Sequence, residues 1–179
     1  MFQVPQSNRA MHFVPGPYRK REFRDALGRF ATGVTVVTTA TADGPVGITA
    51  NSFASVSLDP PVVLWSIGRH SSRFAAFADC ERFAVHVLAA DQVDLSRRFA
   101  RSTVDAFAGL DIEESAEGVP LLSGCLSRFE CTRLAAHEGG DHLIVVAGVT
   151  GACLRDGDPL VFSRGGYGRF DRFGEGSPT

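Results

Sequence analysis

The run Gly47-Ile48-Thr49-Ala50-Asn51-Ser52-Phe53-Ala54-Ser55-Val56-Ser57-Leu58-Asp59-Pro60-Pro61 sets hydroxyl and amide side chains between apolar ones and stops at a double proline. Small residues in a strand-like run let a flat group approach the backbone closely. They leave N–H, hydroxyl and amide groups to read a polar heterocycle. The same run reads equally as strand, turn and strand with no ligand. Soon after it, Ser71-Ser72-Arg73 places hydroxyls and a guanidinium at the start of a short helix. Hydroxyl plus arginine at a helix start is an anion trap, although singly Ser72 reads as a helix cap and Arg73 as a solvated charge. His142 follows Gly140 and Asp141 at a predicted hairpin. It is either a ligand-facing group at a sheet edge or a surface histidine paired to Asp141.

Other chemistries are excluded. No GxGxxG follows a strand, no GxxxxGK[ST] occurs, and HExxH and GxSxG are absent. His12, His70, His86, His137 and His142 show no i,i+4 pairing, so no metal site is expected. The net charge of −2 gives no broad attraction to nucleic acid or membrane. Lys20 is the only lysine, so the remaining cationic groups are arginines, which suit bidentate phosphate contacts. Cys80, Cys125, Cys131 and Cys153 form no CxxC and read as buried free thiols. Met1-Phe2-Gln3-Val4-Pro5 carries neither a basic n-region nor an apolar h-region. No apolar run approaches the ~18 residues of a membrane helix. The expected location is the cytoplasm.

These groups need a scaffold. At 179 residues, 44% of them apolar, the chain reads as one domain. Residues 1–17 form a loose arm, 18–170 the domain and 171–179 a tail. Phe23, Ala26, Leu27 and Phe30 fall at helical spacing within Tyr18 to Ala31, and Gly33 ends that helix. Val34 to Thr41 is β-branched and reads as a strand. Ala42-Asp43-Gly44-Pro45 turns it into a partner, Val46 to Phe53. Val62 to Ile67 and Phe83 to Leu88 are further strands. Ser71-Ser72 caps a helix holding Phe74 and Phe77, and Asp91 caps one through Phe99. Ser102 to Gly124 reads as loop. Cys125 to Ala136 and His142 to Leu154 pair through the Glu138-Gly139-Gly140-Asp141 turn. Pro159 to Ser163 is a last strand before a glycine-rich tail from Gly165 to Gly176. Six or seven short strands with few helices predict a mainly β fold, a closed antiparallel barrel of Greek-key type with a few short flanking helices.

The opening segment Phe23-Arg24-Asp25-Ala26-Leu27-Gly28-Arg29-Phe30-Ala31-Thr32-Gly33-Val34-Thr35-Val36-Val37-Thr38 resembles the first helix and strand of the flavin reductases. Gly47 to Pro61 resembles their flavin-binding strip. Leu95-Ser96-Arg97-Arg98-Phe99-Ala100, Phe107-Ala108-Gly109-Leu110, Gly140-Asp141-His142 and Pro159-Leu160-Val161-Phe162-Ser163-Arg164-Gly165-Gly166-Tyr167 resemble later segments of that family, in the same order. The resemblance implies a split β-barrel that binds FMN, with FAD possible, at a homodimer interface. It implies hydride transfer from NADH or NADPH and delivery of reduced flavin to a separate monooxygenase.

The resemblance further implies that Gly47, Ile48 and Thr49 face the ring or ribityl chain mainly with backbone groups, and that Asn51 and Ser52 bond flavin edges or phosphate. Ser66, Ile67 and Gly68 line the ribityl and ring. Ser72 and Arg73 hold the phosphate, with Arg98 and Phe99 closing that side, although Phe99 reads equally as the core anchor of its helix. His142 lies near the nicotinamide as the candidate catalytic group. Phe162, Ser163, Arg164 and Gly165 contact the nicotinamide nucleotide, and Tyr167 stacks nearby. The link Gly68-Arg69-His70 departs from the family pattern and leaves NADH against NADPH open. Two other readings stay open: a non-catalytic flavin carrier, and a flavoprotein reducing a small acceptor directly.

Overall fold

The computed structural model describes residues 10–101 and 105–173. Most of the expected N-terminal arm, residues 102–104 of the expected loop, and most of the expected tail lie outside the described residues.

A 3-10 turn, Pro17–Arg19, leads into helix α1, Lys20–Leu27. The helix stops at Gly28, earlier than its apolar spacing predicts: the Gly28 N–H still bonds the Arg24 carbonyl, but the Arg29 and Phe30 N–H groups bond only three residues back, to Ala26 and Leu27, which tightens the last turn. Strands β1 (Thr32–Gly33), β2 (Thr35–Thr41), β3 (Gly44–Ala50), β4 (Ala54–Leu58) and β5 (Pro61–Gly68) follow. After helix α2 (Phe74–Ala78) and β6 (Arg82–Val87) comes helix α3 (Val93–Ala100). The chain then forms β7 (Ile112–Glu114), β8 (Pro120–Leu122), β9 (Ser127–Gly139), β10 (His142–Leu154), β11 (Leu160–Ser163) and β12 (Gly166–Arg169).

Seven strands make one antiparallel sheet in the order β3-β2-β6-β9-β10-β5-β4. A smaller sheet has the order β1-β11-β12, and β7 pairs with β8. The fold is mainly β with few short helices, as the strand pattern predicts. The closed barrel is not realised: the hydrogen-bonded order ends at β3 on one side and β4 on the other. A polar link spans part of that gap. The Ser52 hydroxyl donates to the Ser66 carbonyl at 2.9 Å and accepts from the Ser66 N–H at 3.0 Å.

β2 shows why the β-branched run is a strand with no polar face. Val37 joins one core cluster with Trp65, Phe77, Phe83 and Val145. Val36, pointing the other way, joins a second cluster with Leu88, Phe99 and Leu160. Successive side chains alternate faces, and here both faces are covered. α3 supplies the second cover, burying Ser96 and Phe99 at helical spacing.

His86 on β6 is a fully buried structural histidine. Its Nε2 accepts from the Leu122 N–H at 3.0 Å, so its Nδ1 carries the proton and donates to the Val36 carbonyl at 3.1 Å. Burial, with a smaller contribution from the Arg128 charge, pushes its pKa down to about 4. The unfolded chain takes a proton near 6.5. The group's contribution is therefore complete above about 6.5 and is lost as pH falls toward about 4. Between those limits wild type should lose roughly 3 kcal/mol more stability than His86→Gln, read from denaturant midpoints across that range. Parallel pH curves would assign the acid sensitivity to other groups.

The four cysteines are free. Burial pushes Cys125 to about 11 and Cys131 to about 12, so both are protonated at neutral pH. Cys153 departs from the expectation of burial: it is exposed at the far end of β10. No helix among the described residues is long and apolar enough to cross a membrane.

Candidate active site

The expected site residues fall into three groups and a supporting layer. The first group surrounds a cleft of about 930 Å3 between the C-terminal end of α1 and the β11–β12 turn. Of the expected site residues, Asn51, Phe162, Arg164 and Gly165 line it. Arg24, Arg29, Phe30 and Thr32 line it too. The sequence reading placed none of these four in a site. The turn is pinned to α1 through one carbonyl: Gly28 O accepts from the Arg164 N–H at 2.7 Å and from the Ser163 hydroxyl at 3.2 Å. Arg164 holds φ at 51° and Gly165 at 78°, both left-handed. Two-residue hairpins favour Asn or Gly in that conformation. An arginine there costs on the order of 1 kcal/mol. The Thr32 hydroxyl is buried without a hydrogen-bond partner.

The second group lies where β5 pairs with β10. His142 is opposite Gly68 in the register, and Ile144 is opposite Ser66. A Cβ on Gly68 would stand 3.5 Å from the His142 Nε2, so glycine leaves that side of the imidazole uncovered. The His142 Nδ1 donates to Asp141 Oδ1 at 2.7 Å, and this bond holds the Asp141 carboxyl below the usual carboxylate range. An ionised carboxylate only accepts, so Nδ1 carries the proton and Nε2 is directed elsewhere. Arg69, ion-paired to Glu138, donates its backbone N–H to the Asp141 carbonyl at 2.8 Å and steadies the turn. His142 is thus paired to Asp141 at the hairpin end of β10, an interior strand flanked by β9 and β5, and its other ring nitrogen is uncommitted to that bond.

The first two groups are linked through β5. Asn51 lines the cleft, its neighbour Ser52 bonds Ser66, and Gly68 lies two residues further along the same strand. Two residues of strand span about 7 Å.

The third group is basic. Arg97, Arg98 and Arg101 line a cavity of about 550 Å3 with Asp94 and Asp105. Arg98 donates to the Asp105 carbonyl at 3.1 Å and to that of Ala108. Arg73 donates to the Arg101 carbonyl, which ties the start of α2 to the end of α3. Ser72 immediately precedes Arg73 there. α2 begins after Arg73 and has no side-chain cap, which corrects the expected serine cap. The Ser71 hydroxyl accepts from the Arg73 N–H instead, at 3.2 Å. Likewise the residue preceding α3 is Gln92 and not Asp91.

The supporting layer corrects several direct-contact expectations. Phe99 is fully buried, and its ring lies where a Gly47 Cβ would be, 2.5 Å from that position. Gly47 is thus small for the sake of Phe99, and Phe99 supports the fold in place of closing a phosphate site. Ile67 is in the core, and the half-buried Ile48 packs against that core. The Thr49 hydroxyl donates to the Ser96 carbonyl at 2.6 Å. Ser96 Oγ in turn bonds the Tyr167 hydroxyl at 2.9 Å, and Tyr167 packs edge-on against Phe162 at 5.4 Å. Thr49, Ser96 and Tyr167 connect β3, α3 and β12 behind the cleft wall.

A family description, flavin reductase like domain, matches residues 27–171. The chain belongs to the flavin reductase family. The flavin reductase chain is 59% identical over 160 residues to the Agrobacterium fabrum protein named FMN reductase (NADH) SmoA, covering 89% of this chain and 91% of that one. It is 47% identical to the reductase component of the flavin-dependent trigonelline monooxygenase of Acinetobacter baylyi, covering 82% of this chain but 48% of that longer protein. Among solved structures, the NADH:FAD oxidoreductase of Streptomyces globisporus in complex with NAD and FAD fragments superposes with a TM-score of 0.84 at 37% identity. That match covers 92% of this flavin reductase and all of the Streptomyces chain.

Proposed function

We propose that this flavin reductase transfers hydride from NADH to FMN and passes the reduced flavin to a separate monooxygenase. The observation that carries the reading is the side-by-side placement, along β5, of Asn51-Ser52, Ser66 and Gly68 with His142. Segments more than 70 residues apart in sequence meet there, in a chain whose family acts on flavins. The residues fit a flat anionic cofactor: guanidiniums for phosphate, and Phe30 and Phe162 beside the cleft.

When bound, FMN supplies the two-electron acceptor for the donor's hydride. The chain's own contribution is to hold and shield. Ser52 fixes the β3–β4 connection on β5, so Asn51 is presented to the cleft at a set height. His142, oriented by Asp141, offers Nε2 over Gly68, as an acceptor to a carboxamide N–H or, in the imidazolium form beside the Asp141 carboxylate, as a donor to negative charge building on a ring. Arg73 and Arg98 serve the phosphate side, each already oriented by a backbone carbonyl. The split barrel would be completed by a second copy. Val56 and Leu58 on the edge strand β4 are 52% and 95% exposed, and Leu134 on β9 is 61% exposed, an apolar surface suited to a homodimer. A cytoplasmic setting suits the four free thiols.

The test is NADH oxidation by the purified protein as FMN is titrated in. Saturable, FMN-dependent turnover is expected. Flavin binding without turnover on NADH or NADPH would make the chain a carrier. Flavin that stays bound after reduction would end the diffusible-flavin part of the reading.

A further inference from the structure

We propose that Arg69 is a positioning residue for the reaction: it braces the β9–β10 hairpin turn from the neighbouring β5–α2 link and so fixes where His142 stands. The inference rests on the proposed role of His142 in hydride transfer and deepens it.

The turn that carries His142 has little rigidity of its own. His142 pairs with Gly139 across the hairpin, so Gly140 and Asp141 form a two-residue turn. Gly140 is left-handed, with φ at 68°. Two successive glycines allow the turn its shape but bring no side chain to anchor it. Asp141 and His142 are both exposed, and the bond between them orients the imidazole relative to Asp141 alone. Whatever fixes Asp141 therefore fixes the ring.

Arg69 holds the turn on both limbs. The β5–β10 ladder ends with Gly68 opposite His142. The Arg69 N–H continues it by one step, donating to the Asp141 carbonyl at 2.8 Å. Asp141 is thus gripped by its main chain from Arg69 and by its carboxylate from His142. The Arg69 guanidinium pairs with Glu138, which lies on β9 opposite Leu143. One residue therefore ties β10 through its backbone and β9 through its side chain. The brace is footed on the core. The guanidinium lies over the Phe74 ring, with Cζ 5.4 Å from the ring centre. Phe74 opens α2 and packs against the cluster that holds Trp65 and Phe77. The link itself is tightly turned: the Ser71 N–H donates to the Gly68 carbonyl and the Phe74 N–H to the Ser71 carbonyl, both at 3.0 Å.

Stability does not account for this arrangement. Arg69 and Glu138 are both exposed, and an ion pair between exposed side chains adds little to folding. Positioning does account for it, because a displacement of about 1 Å at a group that meets substrate lowers the rate while the fold is kept.

The experiment measures kcat/KM for NADH at saturating FMN, with Tm, for full-chain Arg69→Gln, Arg69→Lys, Glu138→Gln, and Arg69→Gln in a His142→Ala background. Glutamine keeps the backbone N–H and removes the guanidinium's contacts. Arg69→Gln should lower kcat/KM about fivefold with Tm unchanged. Glu138→Gln should reproduce most of that loss, and Arg69→Lys, which keeps a charge for Glu138, should recover part of it. In the His142→Ala background Arg69→Gln should change kcat/KM by less than about 1.5-fold, because the group it positions is gone. An equal loss in both backgrounds would overturn the proposal, and so would Arg69→Gln matching wild type. Failure of the His142 reading is distinct: His142→Ala alone would then match wild type, or wild type would not oxidise NADH. Amide hydrogen exchange at Gly140 to Leu143 then decides the brace by itself. Exchange faster by about tenfold in Arg69→Gln upholds it, and unchanged exchange overturns it.

Discussion

His142→Ala should lower kcat/KM for NADH-dependent FMN reduction by about 10- to 100-fold while the protein remains folded. The size follows from removing one hydrogen bond to a charged or strongly polarised group, about 1.5–3 kcal/mol, at 1.4 kcal/mol per tenfold. Folding is spared because the His142 side chain is exposed at the hairpin end of β10 and its hydrogen bond is to its neighbour Asp141. Asp141→Asn should reproduce a smaller part of the loss. An amide can still accept from Nδ1, but it no longer supplies the full negative charge that fixes the imidazole. Gly68→Ala is a complementary probe. Its methyl would sit 3.5 Å from Nε2, in ordinary contact, so it covers the nitrogen without displacing the ring. The measurement is steady-state NADH oxidation at saturating FMN, beside FMN affinity. Rates within twofold of wild type for both His142→Ala and Gly68→Ala would return His142 to a surface histidine held by Asp141.

The sequence was most legible where local physics and tertiary context agree. β2, β5, β6 and β10 are β-branched or apolar runs, and each contributes to a buried face. β4 was legible only in the ligand-free reading of Gly47 to Pro61 as strand, turn and strand, because Ala54-Ser55-Val56-Ser57-Leu58 buries little and is held by pairing with β5 at an exposed edge. β12 was hidden in a glycine-rich tail. Gly166-Tyr167-Gly168-Arg169 has little strand propensity, and pairing with β11 across a left-handed turn decides its conformation. The site divides in the same way. Motifs local in sequence, such as Gly140-Asp141-His142, could be found from the chain alone. Arg24 and Arg29 could not, because what makes them part of a cleft is a turn docking on Gly28 from 135 residues away. Helical spacing puts Phe23, Ala26, Leu27 and Phe30 on the apolar face and leaves Arg24 off it, where a charged residue needs no further explanation.

Gly47 is where the sequence named the right property for a different reason: it must be small, and what approaches it is Phe99. Gly47→Ala should therefore destabilise the protein by about 2–3 kcal/mol, in the range of overpacked cores. At about 2–4 °C per kcal/mol for a chain of this size, Tm should fall by roughly 4–12 °C. The added Cβ would stand 2.5 Å from Phe99 Cε1 and 3.2 Å from Phe107 Cζ. Phe99 has nowhere to retreat. It is fully buried, and Phe107 meets it edge-on with ring centres 5.0 Å apart. The strain is relieved only by moving α3 away from β3. That movement breaks the Thr49 bond to the Ser96 carbonyl and loosens Ser96 from Tyr167. A stability change here should thus be accompanied by weaker ligand binding at the cleft whose wall Tyr167 supports through Phe162. Phe99→Leu in the Gly47→Ala background separates the causes. If the clash with the ring is responsible, the double variant loses less than the sum of the single losses, by 1 kcal/mol or more. If Gly47→Ala leaves Tm unchanged and only raises the Kd for FMN, the glycine is small for the ligand, and the packing explanation fails.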